Sequence, residues 1–302
     1  MDQSSHSPLW GAFWMLLSGL AFAVINSTNQ WIAFVMGYQF SNVALVQYSI
    51  ATLVLLPWMA RQGLLRSLKT RQPGVHVLRV AVAVAGIQFW LWALAYPVPI
   101  WQAIALLMTS PLFVTVGSAL FLKERVDAPR GLATLFGFAG AMLILAPWSE
   151  DFHPSALLPV VAAVCWAVYS LITKSQLRQG ESPTTVVFYL FVLTLPFNLM
   201  VAAPVLAWPE AQMWPLLLLS GVLTGLAQLS LTKAYQSAEA SYIQPFDLAK
   251  LPFNVLVGFW VMGTVPPGQL WLGAAVMIGA SLYLTRREER KVRQGTPQLA
   301  TR

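Results

Sequence analysis

The chain has 302 residues, 57% of them hydrophobic and only 10% charged, with a formal net charge of +7. Too few polar side chains are present to cover a water-soluble globule of that length, so the composition excludes one and predicts an integral membrane protein. The basic excess lies mainly in the breaks between apolar runs, which removes the need for a polyanionic partner such as nucleic acid.

A helix needs roughly 20 predominantly apolar residues to cross a hydrocarbon core about 30 Å thick. Taken in chain order, the apolar runs predict ten such helices, at 9–33, 41–60, 76–96, 99–122, 129–147, 156–176, 184–207, 214–236, 241–263 and 269–285. Runs such as "LLPVVAAVCWAVYSLI" in the sixth lack the period-two alternation of a barrel strand, so the predicted fold class is all-α. The opening "MDQSSHSP" carries no Lys or Arg, and the first run has no clear small-residue cleavage site, which reads as a retained helix rather than a signal peptide. Cys165 is the lone cysteine and permits no intramolecular disulfide.

The breaks differ sharply in charge. The one after the second run holds Arg61, Arg66, Lys69 and Arg71, with Arg79 close behind; Lys123, Arg125 and Arg130 follow the fourth run, and Arg178 the sixth. The tail adds Arg286, Arg287, Arg290, Lys291, Arg293 and Arg302, whereas "EDFHP" and "AWPEAQ" on the other face contain no Lys or Arg. The positive-inside rule therefore predicts a multi-pass protein with both termini in the cytoplasm. Lys174 and Lys233, near the same face, are read as snorkelling to the headgroups.

Several runs carry residues that lipid does not explain. Gln88 in the third, Gln228 in the eighth and Asn254 in the ninth are amides that each need a hydrogen-bond partner from another helix, water or substrate. Most Trp residues, including Trp10, Trp31, Trp58, Trp148, Trp208, Trp214 and Trp271, fall at run ends and suit an aromatic belt. Trp166 instead lies about 15 Å below the outer end of the sixth run, with Tyr169 nearly one turn further on. "GVLTG" in the eighth, Gly221 to Gly225, reads as a close helix contact.

The ninth run, "SYIQPFDLAKLPFNVLVGFWVMG", holds Asp247 and Lys250, the latter about 13 Å deep. A central charge costs about 2.5 to 3.5 kcal/mol, and the i, i+3 spacing puts the two on one face, where pairing lowers that cost. Two readings follow: a structural ion pair, or one anionic and one cationic partner for a zwitterion. Pro245 and Pro252 flank the pair and remove helical hydrogen bonds, and Pro111 does so in the fourth run.

The chain also repeats itself. "ALAYPVPIWQAIALLMTSPLFVTVGSALFLKERVDAPRGLATLFG" has a partner in "TKAYQSAEASYIQPFDLAKLPFNVLVGFWVMGTVPPGQLWLGAAVMIG": Tyr96 answers Tyr235, Pro111 answers Pro252, and Gly131 and Gly137 answer Gly273 and Gly279. Five spans per copy force opposite insertion of the halves, a transporter architecture. The predicted units are residues 1–150 and 151–287, followed by a basic tail, 288–302.

The "AxxY" ending the third run, "TSPLF" and "FLKERV" in the fourth, and Gly131, Gly137 and Gly140 in the fifth resemble the EamA repeat of the drug/metabolite transporter superfamily. The second copy departs from it where Thr264 stands for Glu124 and Leu282 for Gly140. Within the superfamily the chain looks most similar to YddG-like exporters of aromatic and other neutral amino acids. The resemblance implies ten helices, inward termini, a central cavity between the halves and export across the bacterial inner membrane.

The expectation is thus an inner-membrane exporter of amino acids or similar small metabolites working by alternating access, with an exporter of drugs or organic cations, or a metabolite channel, as rivals. HExxH, GxSxG and a Walker lysine motif are all absent, so no enzyme chemistry, metal or cofactor is expected. The candidate substrate-binding residues are Asp247, Lys250, Trp166, Tyr169, Gln88, Trp101, Gln228 and Tyr242, and the candidate gating residues are Pro111, Pro245 and Pro252. The expected partners are a small-molecule substrate and the lipid bilayer.

Overall fold

The computed structural model of the chain describes residues 8–61, 70–95, 109–124, 154–247 and 249–263, with scattered positions between 103 and 140 and between 268 and 283. Among these residues all regular structure is helical: α1 (Pro8–Gln30), α2 (Phe40–Arg61), α3 (Pro73–Ala95), α4 (Ser110–Phe121), α5 (Leu158–Arg178), α6 (Pro183–Ala202), α7 (Trp214–Ser237), α8 (Ala240–Asp247) and α9 (Lys250–Met262). Six apolar stretches are long enough to cross a bilayer, Pro8–Val35, Phe40–Pro57, Pro73–Trp90, Pro154–Arg178, Pro183–Val205 and Ala211–Ser237; shorter apolar helices cover Leu112–Phe121 and Pro252–Val261. The runs predicted at 129–147 and 269–285 fall largely outside the described residues, as does Trp101.

Local chemistry sets the helix ends. Ser182 caps α6 by accepting a hydrogen bond from the Thr185 N–H at 3.0 Å, and Pro183 occupies the first turn, where its missing N–H leaves nothing unpaired. α9 ends on Gly263, whose φ of +66° is the left-handed conformation that glycine adopts without strain.

The helices turn apolar side chains outward. Trp10, Phe13, Leu17 and Leu20 lie on one exposed stripe of α1, whereas Met15, Ser18 and Ala23 are buried. Trp260 is 85% exposed and Trp208 82%. Such surfaces are costly in water and free of that cost in lipid.

α1 packs most extensively on α7 and then on α9, while α5 packs on α3 and then on α4; α2 joins α7 and α6. Close approach of α2 and α7 depends on Gly221, where a Cβ would stand 2.6 Å from the Ile50 Cβ. The "GVLTG" stretch is therefore a helix contact, as its small-residue spacing suggests.

Three expectations need correction. The predicted ninth span is not one helix: α8 ends at Asp247, Ala249 sits in a turn with its N–H bonded to Phe246 O at 3.1 Å, and α9 begins at Lys250. Lys174 does not snorkel. It is 5% exposed and its ammonium donates to Tyr235 O at 2.6 Å and to Ala238 O, satisfying carbonyls left over at the end of α7. Arg79, grouped above with a polar break, is fully buried within α3.

Candidate functional site

Asp247 and Lys250 form an ion pair across the break between α8 and α9, with side chains 12% and 14% exposed. Asp247 Oδ1 meets the ammonium as a charge contact without an aligned hydrogen bond. Neither charge favours its own helix, because an acid at a C-terminus and a base at an N-terminus both oppose the helix dipole. Their placement is explained by each other or by a ligand. The Lys250 ammonium also lies 5.1 Å from the Phe22 ring centroid, and its stem passes Gly19, where a Cβ would be 3.1 Å from Lys250 Cγ.

Two amides extend from this pair. Asn254 Nδ2 donates to Lys250 O at 2.7 Å, and Asn26 Nδ2 donates to Asn254 Oδ1 at 2.9 Å. Asn26 is exposed, yet it shares the inward stripe of α1 with Ser18, Phe22 and Asn29, away from the lipid-facing Phe13, Leu17 and Leu20. Asn26 is thus accessible on the side of α1 that faces α7 and α9.

A second polar group joins α1, α2 and α7. Asn29 Nδ2 donates to Gln47 Oε1 at 2.7 Å, Gln47 Nε2 to Thr224 Oγ1 at 2.6 Å, and Ser220 Oγ to Asn29 Oδ1 at 2.7 Å. Ser18 Oγ donates to Ala227 O at 3.0 Å. One turn beyond Thr224, Gln228 is 8% exposed and its Oε1 has no hydrogen-bond partner among the described residues. A buried acceptor without a donor is costly unless something else supplies one.

The remaining candidates lie elsewhere. Trp166 faces α3, its Nε1 standing 3.1 Å from where a Cβ on Gly86 would be. Tyr169 is 7% exposed and its ring lies 5.3 Å from the Arg79 guanidinium carbon. Gln88 sits on the stripe of α3 that carries exposed Val77 and Ala81, turned away from the Gly86 contact. Tyr242 is buried in an apolar core with Phe246, ring centroids 5.5 Å apart. Pro111 and Pro252 each stand in the first turn of a helix, α4 and α9, and Pro245 lies within α8.

The two ends of the bundle close differently. At one end Arg79 donates to Val186 O at 2.6 Å and to Thr173 Oγ1 at 3.3 Å, and His76 stacks on Tyr189 at 4.4 Å. Glu181 accepts from Thr70 Oγ1 at 2.6 Å and lies 4.0 Å from His76 Nε2. Nearby Arg178 pairs with Glu124 at 2.6 Å, and Glu124 also accepts from the Ala240 N–H at 3.3 Å. The opposite end uses uncharged contacts, Tyr38 Oη to Ala207 O and Asn42 Nδ2 to Val205 O, both 2.8 Å. Burial pushes the Tyr38 phenol above its usual pKa, which keeps it a donor.

An open groove between α4 and α5, lined by Leu112, Phe113, Val116, Val164 and Val168, is almost wholly apolar and suits a lipid chain rather than a polar ligand. Arg79, Asn26, Asn29 and Gln47 were absent from the predicted set; the inward spacing of Ser18, Phe22, Asn26 and Asn29 on α1 is the signal that could have flagged two of them.

A model of the EamA-like transporter family matches residues 9–146 and again 153–286. A riboflavin transporter of Vibrio cholerae is 55% identical over 96% of this chain and 97% of its own. A riboflavin transporter of Rhizobium johnstonii is 47% identical over 94% of this chain and 93% of its own. An S-adenosylmethionine uptake transporter of Rickettsia conorii is 28% identical, covering 96% of this chain and 97% of that one.

Proposed function

Because the chain belongs to the EamA-like transporter family and is therefore a membrane transporter, we propose that it carries riboflavin into the bacterial cell. The observation that carries this reading is the 55% identity, over nearly the full length of both chains, to a protein named a riboflavin transporter. It replaces the amino-acid exporter expected above, since these relatives are named for riboflavin, or for uptake of S-adenosylmethionine, and not for amino-acid export.

The geometry supports an uncharged ligand. A zwitterion would have to pull Asp247 and Lys250 apart to use both, whereas a neutral ligand leaves the pair closed and the site electrically balanced. Riboflavin offers a flat aromatic ring system and a polyhydroxylated chain, which call for aromatic surface and neutral donors and acceptors. Phe22 and Asn26 beside the pair, and the unpartnered Gln228 acceptor on α7, are groups of that kind.

The same reading keeps the ten-helix, two-repeat architecture, with units 1–150 and 151–287 and a tail at 288–302, in the inner membrane with both termini cytoplasmic. Three observations support it: the family model matches twice, α1 packs on α7 and α9 as α5 packs on α3 and α4, and Pro111 and Pro252 both open helices. Alternating access would then pivot at these prolines and at Pro245. Uptake of labelled riboflavin by cells that lack their own route tests the function. Saturable uptake dependent on this chain supports a carrier; non-saturating flux points to a channel, and amino-acid efflux without riboflavin uptake would restore the earlier expectation.

A further inference from the structure

We propose that Asn26 is a specificity-determining residue, its side-chain amide reading the imide edge of the flavin's pyrimidine ring; this rests on the riboflavin reading above. The orientation of the amide follows from the chain of bonds behind it. Lys250 O can only accept, so the Asn254 group at 2.7 Å from it is the NH2 and the other Asn254 atom is the oxygen. That oxygen in turn accepts at 2.9 Å, so the Asn26 atom facing it is Nδ2. Asn26 is thereby held with one N–H engaged and with its second N–H and its carbonyl oxygen left for a ligand.

The position suits that task. Asn26 is exposed on the stripe of α1 that faces α7 and α9, one turn beyond Phe22 and opposite the exposed apolar stripe of Phe13, Leu17 and Leu20. The flavin ring carries a C=O, N3–H, C=O edge, and a primary amide complements half of it: the amide N–H donates to a ring carbonyl while the amide oxygen accepts from N3–H. Paired bonds of this sort give geometric selectivity of the kind an Asn shows toward a base edge. Asn254 acts as a positioning residue, touching Asn26 and not the ligand.

The test compares riboflavin with 3-methylriboflavin, which keeps the ring and the hydroxylated chain but loses the N3–H donor. The readout is the ratio of their half-saturating concentrations for uptake by the full-length protein in cells. The native chain should favour riboflavin by about ten- to a hundredfold, because a site built around a donor rejects a ligand that lacks it. Asn26→Leu and Asn26→Ala should bring the ratio close to one, chiefly by weakening riboflavin, and Asn254→Leu should move it in the same direction. Asn26→Ala adds no bulk at an exposed position, so it guards against misfolding of the larger replacement. Equal handling of both flavins by the native chain, or an unchanged ratio in Asn26→Ala, would overturn the proposal while leaving riboflavin transport standing. No riboflavin uptake by the native chain would overturn the functional reading and this inference with it.

Discussion

Replacing Asp247 by Asn leaves the Lys250 ammonium in a site only 14% exposed, with the Phe22 ring as its remaining electrostatic partner. Removing one member of a buried pair costs about 3 to 5 kcal/mol, and the Phe22 contact, present with or without Asp247, offsets none of it, so a loss of that size is expected. Lys250→Met should cost more, because Asp247 would then be left without its cation, against the dipole of α8. The double replacement, Asp247→Asn with Lys250→Met, removes both desolvation costs and should recover most of the loss. The assay is the temperature at which half of the detergent-solubilised protein loses its monodisperse chromatographic peak, at one fixed heating time because unfolding of such proteins is irreversible. Riboflavin uptake should follow the amount of folded protein through the series, as expected for a neutral ligand. A double variant destabilised by the sum of the two single effects would refute the pairing argument.

Arg79→Lys should sharply reduce folded protein in the membrane, since a single ammonium cannot reproduce the fork that bonds Val186 O and Thr173 while lying near Tyr169; near-normal abundance on a quantitative blot would count against this. Lys174→Met should lower the thermal midpoint in the same assay, by an amount corresponding to about 1 to 3 kcal/mol, because Tyr235 O and Ala238 O lose a buried charged donor. Gly221→Val should destabilise more than Gly225→Val, whose Cβ would meet Leu55 only at 3.4 Å rather than Ile50 at 2.6 Å; the reverse order would argue against the helix contact. A cysteine introduced at residue 150 should react with an impermeant reagent from outside the cell, and one at 290 only after permeabilisation; opposite labelling would invert the orientation.

Hydropathy made the long helices legible to within a few residues, because apolar runs without strand-like alternation can satisfy their backbone groups in lipid only as helices. Pro8–Gln30, Leu158–Arg178 and Trp214–Ser237 start within a few residues of their predicted positions. The break between α8 and α9 was not resolved that way, since "QPFDLAKLP" is flanked by apolar sequence on both sides and the prolines mark a disturbance without fixing where it falls. Arg79 was misjudged because charge counting by loop treats a residue nearly two turns inside a helix as part of the loop. Lys174 was misjudged because its acceptors, Tyr235 O and Ala238 O, come from a helix remote in sequence. For the candidate site, Asp247 and Lys250 were legible from spacing alone, whereas for Asn26 the only sign was its helical spacing with Ser18, Phe22 and Asn29, since its partner Asn254 is 228 residues away.

The proposed function requires this chain alone to move riboflavin across a bilayer. The direct measurement is counterflow of labelled riboflavin into proteoliposomes that hold the purified full-length protein and are preloaded with unlabelled riboflavin. Label should accumulate transiently, only with the protein present, saturating with riboflavin and competed by unlabelled riboflavin but not by phenylalanine or tryptophan. Counterflow supported by those amino acids and not by riboflavin would contradict the proposed function.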